Sequence, residues 1–198
     1  MNSFDSGRLL ILGSTSRYRR ELLQRLGIPF DIVAPDVDET ALPNEATHAM
    51  AMRLALAKAR AVALLHPSAL VIGSDQVADL HGQALGKPGN HRRATEQLQR
   101  MRGQTVVFQT AVAVVCQELN FEQVALAPVV VQFRELSDAE IESYLLRETP
   151  YDCAGSAKSE GLGIALLDSI QSDDPTALIG LPLIRTCAML RAAGARLL

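Results

Sequence analysis

Short apolar runs alternate with stretches of helical period along the whole chain. Residues 9–12 (LLIL) form a continuous apolar run ending at Gly13, the pattern of a short buried strand. The pattern then turns helical, with Leu22, Leu23 and Leu26 as an apolar stripe and Gly27 as a stop. Residues 30–34 predict a second strand, and 35–44 (PDVDETALPN) an acidic loop. Thr47 is positioned to cap a long helix over 49–65, which is rich in the strong helix formers Ala, Leu and Met. Residues 70–73 read as another buried strand, closed by SDQ, and 77–85 as a hairpin around His81 and Gly82. Asn90 caps a predicted helix that runs to Met101 and ends at Gly103. Two long runs rich in β-branched residues, 106–116 and 124–133, predict adjacent strands. Ser137 and Glu140 have capping-box spacing for a helix to about residue 146. A loop of small residues follows over 153–163, and Pro182 opens a last helix that Gly194 ends. Strands mixed with helices in this order predict an α/β protein with a mixed sheet.

The length of 198 residues suits a single domain over 1–198. A net charge of −3 argues against a binder of nucleic-acid polymers. No apolar stretch approaches the roughly 18 residues of a membrane span, and the polar start MNSFDSGR predicts no signal peptide. Cys116, Cys153 and Cys187 are odd in number, far apart and without a CxxC pair. That argues against a disulfide framework or zinc site and points to a reducing cytoplasm.

Several sets of residues carry candidate chemistry. In GSTSRYRR, a strand passes through Gly13 and two hydroxyls, Ser14 and Ser16, into a helix, which is a way to build an anion site from N–H and O–H donors. Arg19 and Arg20 oppose the positive end of the helix dipole unless an anion binds there. The same serines suit plain helix capping, with the arginines solvated. The Gly-Lys-Ser/Thr spacing of a P-loop is absent. Asp75 follows a buried strand, where sites in α/β sheets gather, and is able to ligate Mg²⁺ or act on water as a general base. Glu39 in the acidic loop is a second hard oxygen donor. Lys58, Lys87 and Lys158 are point charges available to phosphate, although solvation is the ordinary fate of a lysine. Glu160 lies in a Gly-flanked loop, SEGLG, suited either to a ligand or to a plain turn.

The order of these stretches is more specific than any one of them. ILGSTSRYRRELL, APDVDET, RLALAKA, VIGSDQV, LGKP, CAGSAKSEGLG and IGLPL together resemble the Maf family of nucleoside triphosphate pyrophosphatases over nearly the whole chain. The resemblance implies the fold shared with inosine triphosphate pyrophosphatases, an elongated mixed sheet flanked by helices, with a cleft between two lobes. It also implies hydrolysis of a nucleotide to its monophosphate and pyrophosphate with a divalent metal, Mg²⁺ or Mn²⁺. By motif, Ser14, Ser16 and Arg19 would hold phosphate, Lys58 and Lys87 would add charge, and Asp75 would be the catalytic acidic residue. Glu39 is similar to the family's acidic residue near the metal. A homodimer is compatible with the family.

The family's opening motif commonly reads Ser-x-Ser-Pro-Arg-Arg, and here Arg17 and Tyr18 stand at the Pro and the first Arg. With Gln76 after Asp75 and Glu160 in the late loop, the chain resembles the branch that hydrolyses 7-methyl-GTP rather than the branch acting on dTTP and UTP. The chemistry agrees with that assignment. Methylation at N7 makes guanine cationic, and a tyrosine face attracts a flat cation by about 1–2 kcal/mol when desolvated. A glutamate accepts from two guanine N–H groups and offsets the ring's charge. Two rival readings are a pyrophosphatase of broader specificity, dTTP and UTP included, and a nucleotide-binding regulator of cell division.

Overall fold

Alternation along the strands sorts the core onto two faces. The computed structural model describes residues 7–198, so most of the polar stretch read as lacking a signal peptide lies outside the described residues. β1 (Leu10–Gly13) is followed by α1 (Arg17–Gln24) and β2 (Asp31–Val33), and α2 (Thr47–Leu65) leads into β3 (Leu70–Leu80). β4 (Gln83–Leu85), α3 (His91–Met101), β5 (Thr105–Cys116) and β6 (Phe121–Phe133) come next. α4 (Asp138–Glu148), β7 (Leu167–Gln171) and α5 (Leu183–Ala192) complete the chain. Leu10, Leu12, Leu70, Ile72, Val112 and Val114 pack with Leu22 and Leu23 of α1 and Met189 and Leu190 of α5. Ile11, Val71, Ala111 and Ala113 point the other way, onto Ala51, Ala55, Ala59 and Ala63 of α2. The period of two in a strand places neighbours on opposite faces, and the i, i+4 alanines of α2 let the helix lie close to the sheet. A third apolar cluster gathers α3, α4 and the far ends of β5 and β6 around Phe108 and Phe133.

Among the described residues the sheet has the order β2-β1-β3-β5-β6-β7, with β4 also on β3. β2, β1 and β3 run parallel, whereas β3, β5, β6 and β7 are antiparallel neighbours, so the sheet is mixed as expected. β5 pairs β3 along Val71–Asp79. On the opposite edge of β3, β1 pairs only as far as Gly73 and β4 begins only at Ala78. Residues 74–77 of a central strand therefore have no strand beside them on that edge, and this gap is where the cleft forms.

Several local expectations hold. Asn90 caps α3 by accepting from Arg93 N, and Ser137 with Glu140 forms a complete capping box on α4. Others need correction. The strand expected to end at Gly73 continues to Leu80, so Asp75 lies within β3 opposite Ala111 rather than after a strand. GSDQ reads as a strand end, but β5 supplies a continuous ladder that carries the chain through it. Thr47 is the first residue of α2 and not its cap: Ala46 takes that position without a side-chain bond, and Thr47 Oγ1 donates to Asp79 instead. β7 was not expected; four of its five residues are exposed, and an edge strand without a buried face lacks the alternation that would announce it.

Candidate active site

The loop from β1 into α1 supplies the first wall of the cleft. Ser16 is the N-cap of α1, its Oγ 3.4 Å from Arg19 N, and Ser14 Oγ accepts from Ser16 N at 3.1 Å. Both oxygens act here as acceptors, which leaves both hydroxyl hydrogens for a ligand. Capping and anion binding are thus compatible in the same two serines. Arg19 Nε donates to the carbonyl of Gly180 at 2.9 Å, and Ser74 Oγ donates to the same carbonyl at 2.9 Å. The guanidinium is fixed from behind by the turn before α5. Burial lowers its pKa, with Asp75 and Glu39 partly offsetting that, and it remains protonated.

The second wall comes from α2 packed on β3. A Cβ at Gly73 would lie 2.3 Å from Ala55 O and 2.6 Å from Ala59 N, so the glycine admits the helix backbone directly against the strand. That approach delivers Lys58, only 5% exposed, to Asp75, two residues along β3 on the same face. Lys58 Nζ lies 2.6 Å from Asp75 Oδ1 and 2.6 Å from Glu39 Oε1. One ammonium bridges two carboxylates drawn from a strand and from the acidic loop. Burial acts to raise the Glu39 pKa, but Lys58, with Lys87 and Arg19 beyond it, outweighs this and holds it below the usual range. The acidic loop is itself tied down. Arg53 of α2 grips both oxygens of Glu45 at 2.6 and 2.7 Å and donates to Thr40 O at 3.1 Å, next to Glu39.

Gln76, on the opposite face of β3 from Asp75, donates through Nε2 to Thr110 Oγ1, Ala177 O and Leu178 O at 2.8–3.1 Å. Its Oε1 has no hydrogen-bond partner among the described residues. Tyr18 stands across the cleft. Arg17 lies over its ring, 4.7 Å from the centroid, and donates to its hydroxyl at 2.6 Å; that hydroxyl lies 3.3 Å from Asp152 Oδ1. Burial raises the Tyr18 pKa, so the phenol stays neutral. Beside it, burial pushes the Cys153 thiol up to about 11, a poor setting for a reactive thiolate.

These groups line one cleft of about 420 Å³. It brings together Ser14, Ser16, Tyr18, Arg19, Glu39, Lys58, Gln76, Lys87 and Glu160. Asp75 sits behind Lys58 and reaches the cleft through that pair. Arg20 is exposed and does not line it; Arg17 does. Lys158 is likewise outside, paired with Glu148. Sequence reasoning gave no role to Asp152 or to the carbonyls of 177–180. The latter act through backbone atoms, which leave no residue-type signal.

The donor set suits a divalent cation. Asp75 and Glu39 are hard oxygen ligands already converging on one positive charge, and Mg²⁺ is commonly held by one or two carboxylates together with substrate phosphates. Among the described residues no cluster of three His, Cys, Asp or Glu side chains forms a cage that would hold a metal alone.

A mixed α/β sheet whose strand gap gathers hydroxyls, cations and two carboxylates defines a protein that handles phosphate groups. The chain belongs to the Maf family: the Maf-like protein model matches residues 9–193. It is 71% identical over 191 residues to a protein of Albidiferax ferrireducens named 7-methyl-GTP pyrophosphatase, covering 96% of each chain. A Polaromonas protein of the same name is 70% identical over 192 residues, covering 97% of this chain and 88% of its own. One from Aromatoleum aromaticum is 61% identical over 185 residues, covering 93% and 95%.

Proposed function

We propose that this protein is a nucleoside triphosphate pyrophosphatase converting 7-methyl-GTP to 7-methyl-GMP and pyrophosphate. The observation that carries the reading is one cleft lined both by phosphate-type donors and by Tyr18, Gln76 and Glu160. The names of relatives at 61–71% identity support the same substrate. The triphosphate lies against the hydroxyls of Ser14 and Ser16 and the cations Arg19, Lys58 and Lys87. Arg20, outside the cleft, takes no part in this scheme. The base lies toward Tyr18 and Glu160, where the phenol ring stacks on the cationic guanine and the carboxylate accepts from its N1–H and amino group. Gln76 Oε1 is one further acceptor at that end.

Asp75 orients a water for attack on the α-phosphorus and takes its proton. The α–β bridging bond breaks, and pyrophosphate leaves. Arg19 and Lys58, held in place before the reaction, stabilise charge with Lys87 as it moves onto the leaving oxygens. Asp75 and Glu39 would hold Mg²⁺ or Mn²⁺, which supplies Lewis-acid polarisation of the phosphate when bound. The proposed setting is the cytoplasm, supported by three unpaired cysteines. None of the described helices is long and apolar enough to cross a membrane. The scheme works within one domain and calls on no second copy of the chain.

The test is pyrophosphate release with Mg²⁺ from 7-methyl-GTP, GTP, dTTP and UTP at equal concentration. Preference for 7-methyl-GTP is expected. Preference for UTP or dTTP would remove the base assignment while keeping the phosphate chemistry. Tight nucleotide binding without release would favour a regulator.

A further inference from the structure

The turn that presents Glu160 is gripped from behind by α4. Glu148, at the last residue of that helix, accepts from Lys158 Nζ and from Leu162 N, the latter at 2.7 Å. One carboxylate thus holds both flanks of the segment in which Glu160 is central. The Glu148 side chain is only 14% exposed, so these bonds are shielded from competing water. One turn earlier, the Tyr144 hydroxyl donates to Ser156 O at 3.1 Å and accepts from Lys158 N at 3.0 Å. The turn closes on itself as well, with Gly161 N and Gly163 N both donating to Lys158 O at 3.1 and 3.0 Å. The glycines fit this arrangement closely. A Cβ at Gly161 would lie 2.7 Å from Glu148 Oε2, and one at Gly163 would lie 2.5 Å from Lys158 O. Among the described residues the Glu160 carboxylate meets only its own backbone N–H, so its place at the cleft depends on how the turn is held.

We infer that Glu148 is a positioning residue for base selectivity, holding the turn so that the Glu160 carboxylate faces the base end of the cleft. The inference rests on the base-reading role proposed above for Glu160. Glu148 does not line the cleft and touches none of the phosphate-binding side chains. Its removal should therefore change which nucleotide is preferred more than how fast a bound nucleotide is cleaved. A displacement of about 1 Å at an ordering contact is enough to cost one to two orders of magnitude.

The experiment is a double-mutant cycle with E148A, E160Q and the pair, supplemented by E148Q, which keeps an acceptor for Leu162 N but loses the charge that holds Lys158. The readouts are kcat and KM for 7-methyl-GTP and UTP, and amide exchange at residues 161–163. The selectivity ratio should fall about tenfold in E148A through KM, with kcat for UTP within about twofold, and less in E148Q. The pair should lose no more than E160Q alone, the mark of two residues acting through one. Exchange at 161–163 should accelerate while β1 and β3 stay protected. An unchanged ratio in E148A and E148Q, with E160Q impaired, would overturn the positioning role alone, as would full additivity in the pair. An unchanged ratio in E160Q would remove the base-reading role and the inference with it. If E148A does not fold, E148Q against E160Q decides by the same criteria.

Discussion

At the phosphate end of the cleft, Ser14, Lys58 and Asp75 are 4%, 5% and 7% exposed and sit on or directly against the two central strands β1 and β3. At the end proposed for the base, Tyr18 is half-buried, and Asp152 and Glu160 are largely exposed in the loop between α4 and β7. Reaction chemistry needs groups held to fractions of an ångström, and packed strands and helices supply that. Choosing a base needs only a few contacts that differ between nucleotides, and loops carry those at little cost to the core. Substrate preference in such a molecule can be altered without rebuilding the machinery for cleavage.

The hardest blow to this division is at Asp75. D75N should lower turnover of every nucleotide by about 10³-fold, with the far-UV circular dichroism of the folded protein retained. Near-normal turnover would remove Asp75 from the chemistry. G73A comes next. The added methyl cannot coexist with Ala55 O at 2.3 Å, so α2 must move outward and carry Lys58 with it. Overpacking of this kind costs about 1–3 kcal/mol, and thermal unfolding should show that loss together with weaker activity on all four nucleotides. A variant with normal activity would mean that the Lys58–Asp75 pair tolerates displacement.

Smaller effects should appear at the base end, and they should be selective. E160Q should lower the preference for 7-methyl-GTP by about tenfold, the size of one charge-assisted contact, while UTP hydrolysis is retained. Equal loss on every nucleotide would place Glu160 in the chemistry instead. The pH profile sharpens the point. Although much of the residue is exposed, partial desolvation of its carboxyl raises the Glu160 pKa; its own backbone N–H and Lys158 oppose this, and Glu148 and Glu21 add to it. A raised carboxyl pKa means that the proton binds earlier as pH falls. Preference for 7-methyl-GTP should therefore fade at a higher pH than an ordinary glutamate would give, before UTP hydrolysis does. E160Q should abolish that difference between the two profiles. Least affected should be R20A, at an exposed position outside the cleft, with activity within about twofold and stability within about 0.5 kcal/mol.

The phosphate end was partly legible in the sequence because its residues contradict their surroundings. Lys58 interrupts an apolar helical stretch, and the arginines crowd the unfavourable end of a helix. Each is a local inconsistency that only a partner resolves. The actual partner of Lys58 was not legible, since the pairing with Asp75 depends on Gly73 admitting α2, a contact between segments far apart in sequence. The continuation of β3 through Asp75 was hidden for a related reason: the ladder that holds it comes from β5, some 35 residues away. At the base end, residue type located Tyr18, Gln76 and Glu160 only through family resemblance. Nothing in periodicity marks Glu148 as the support of the Glu160 turn, because its two bonds cross from a helix to a loop.

The interval 74–77 of β3, open only on the edge away from β5, bears on solubility as well as on function. An unpaired strand edge is a template for another chain and a common starting point for aggregation. Here the open edge is internal, bounded by β1 on one side and β4 on the other, and too short to seat a visiting strand in register. The molecule thus opens a central sheet to a small ligand without offering it to a second protein, and the width of that opening is itself a filter on what enters.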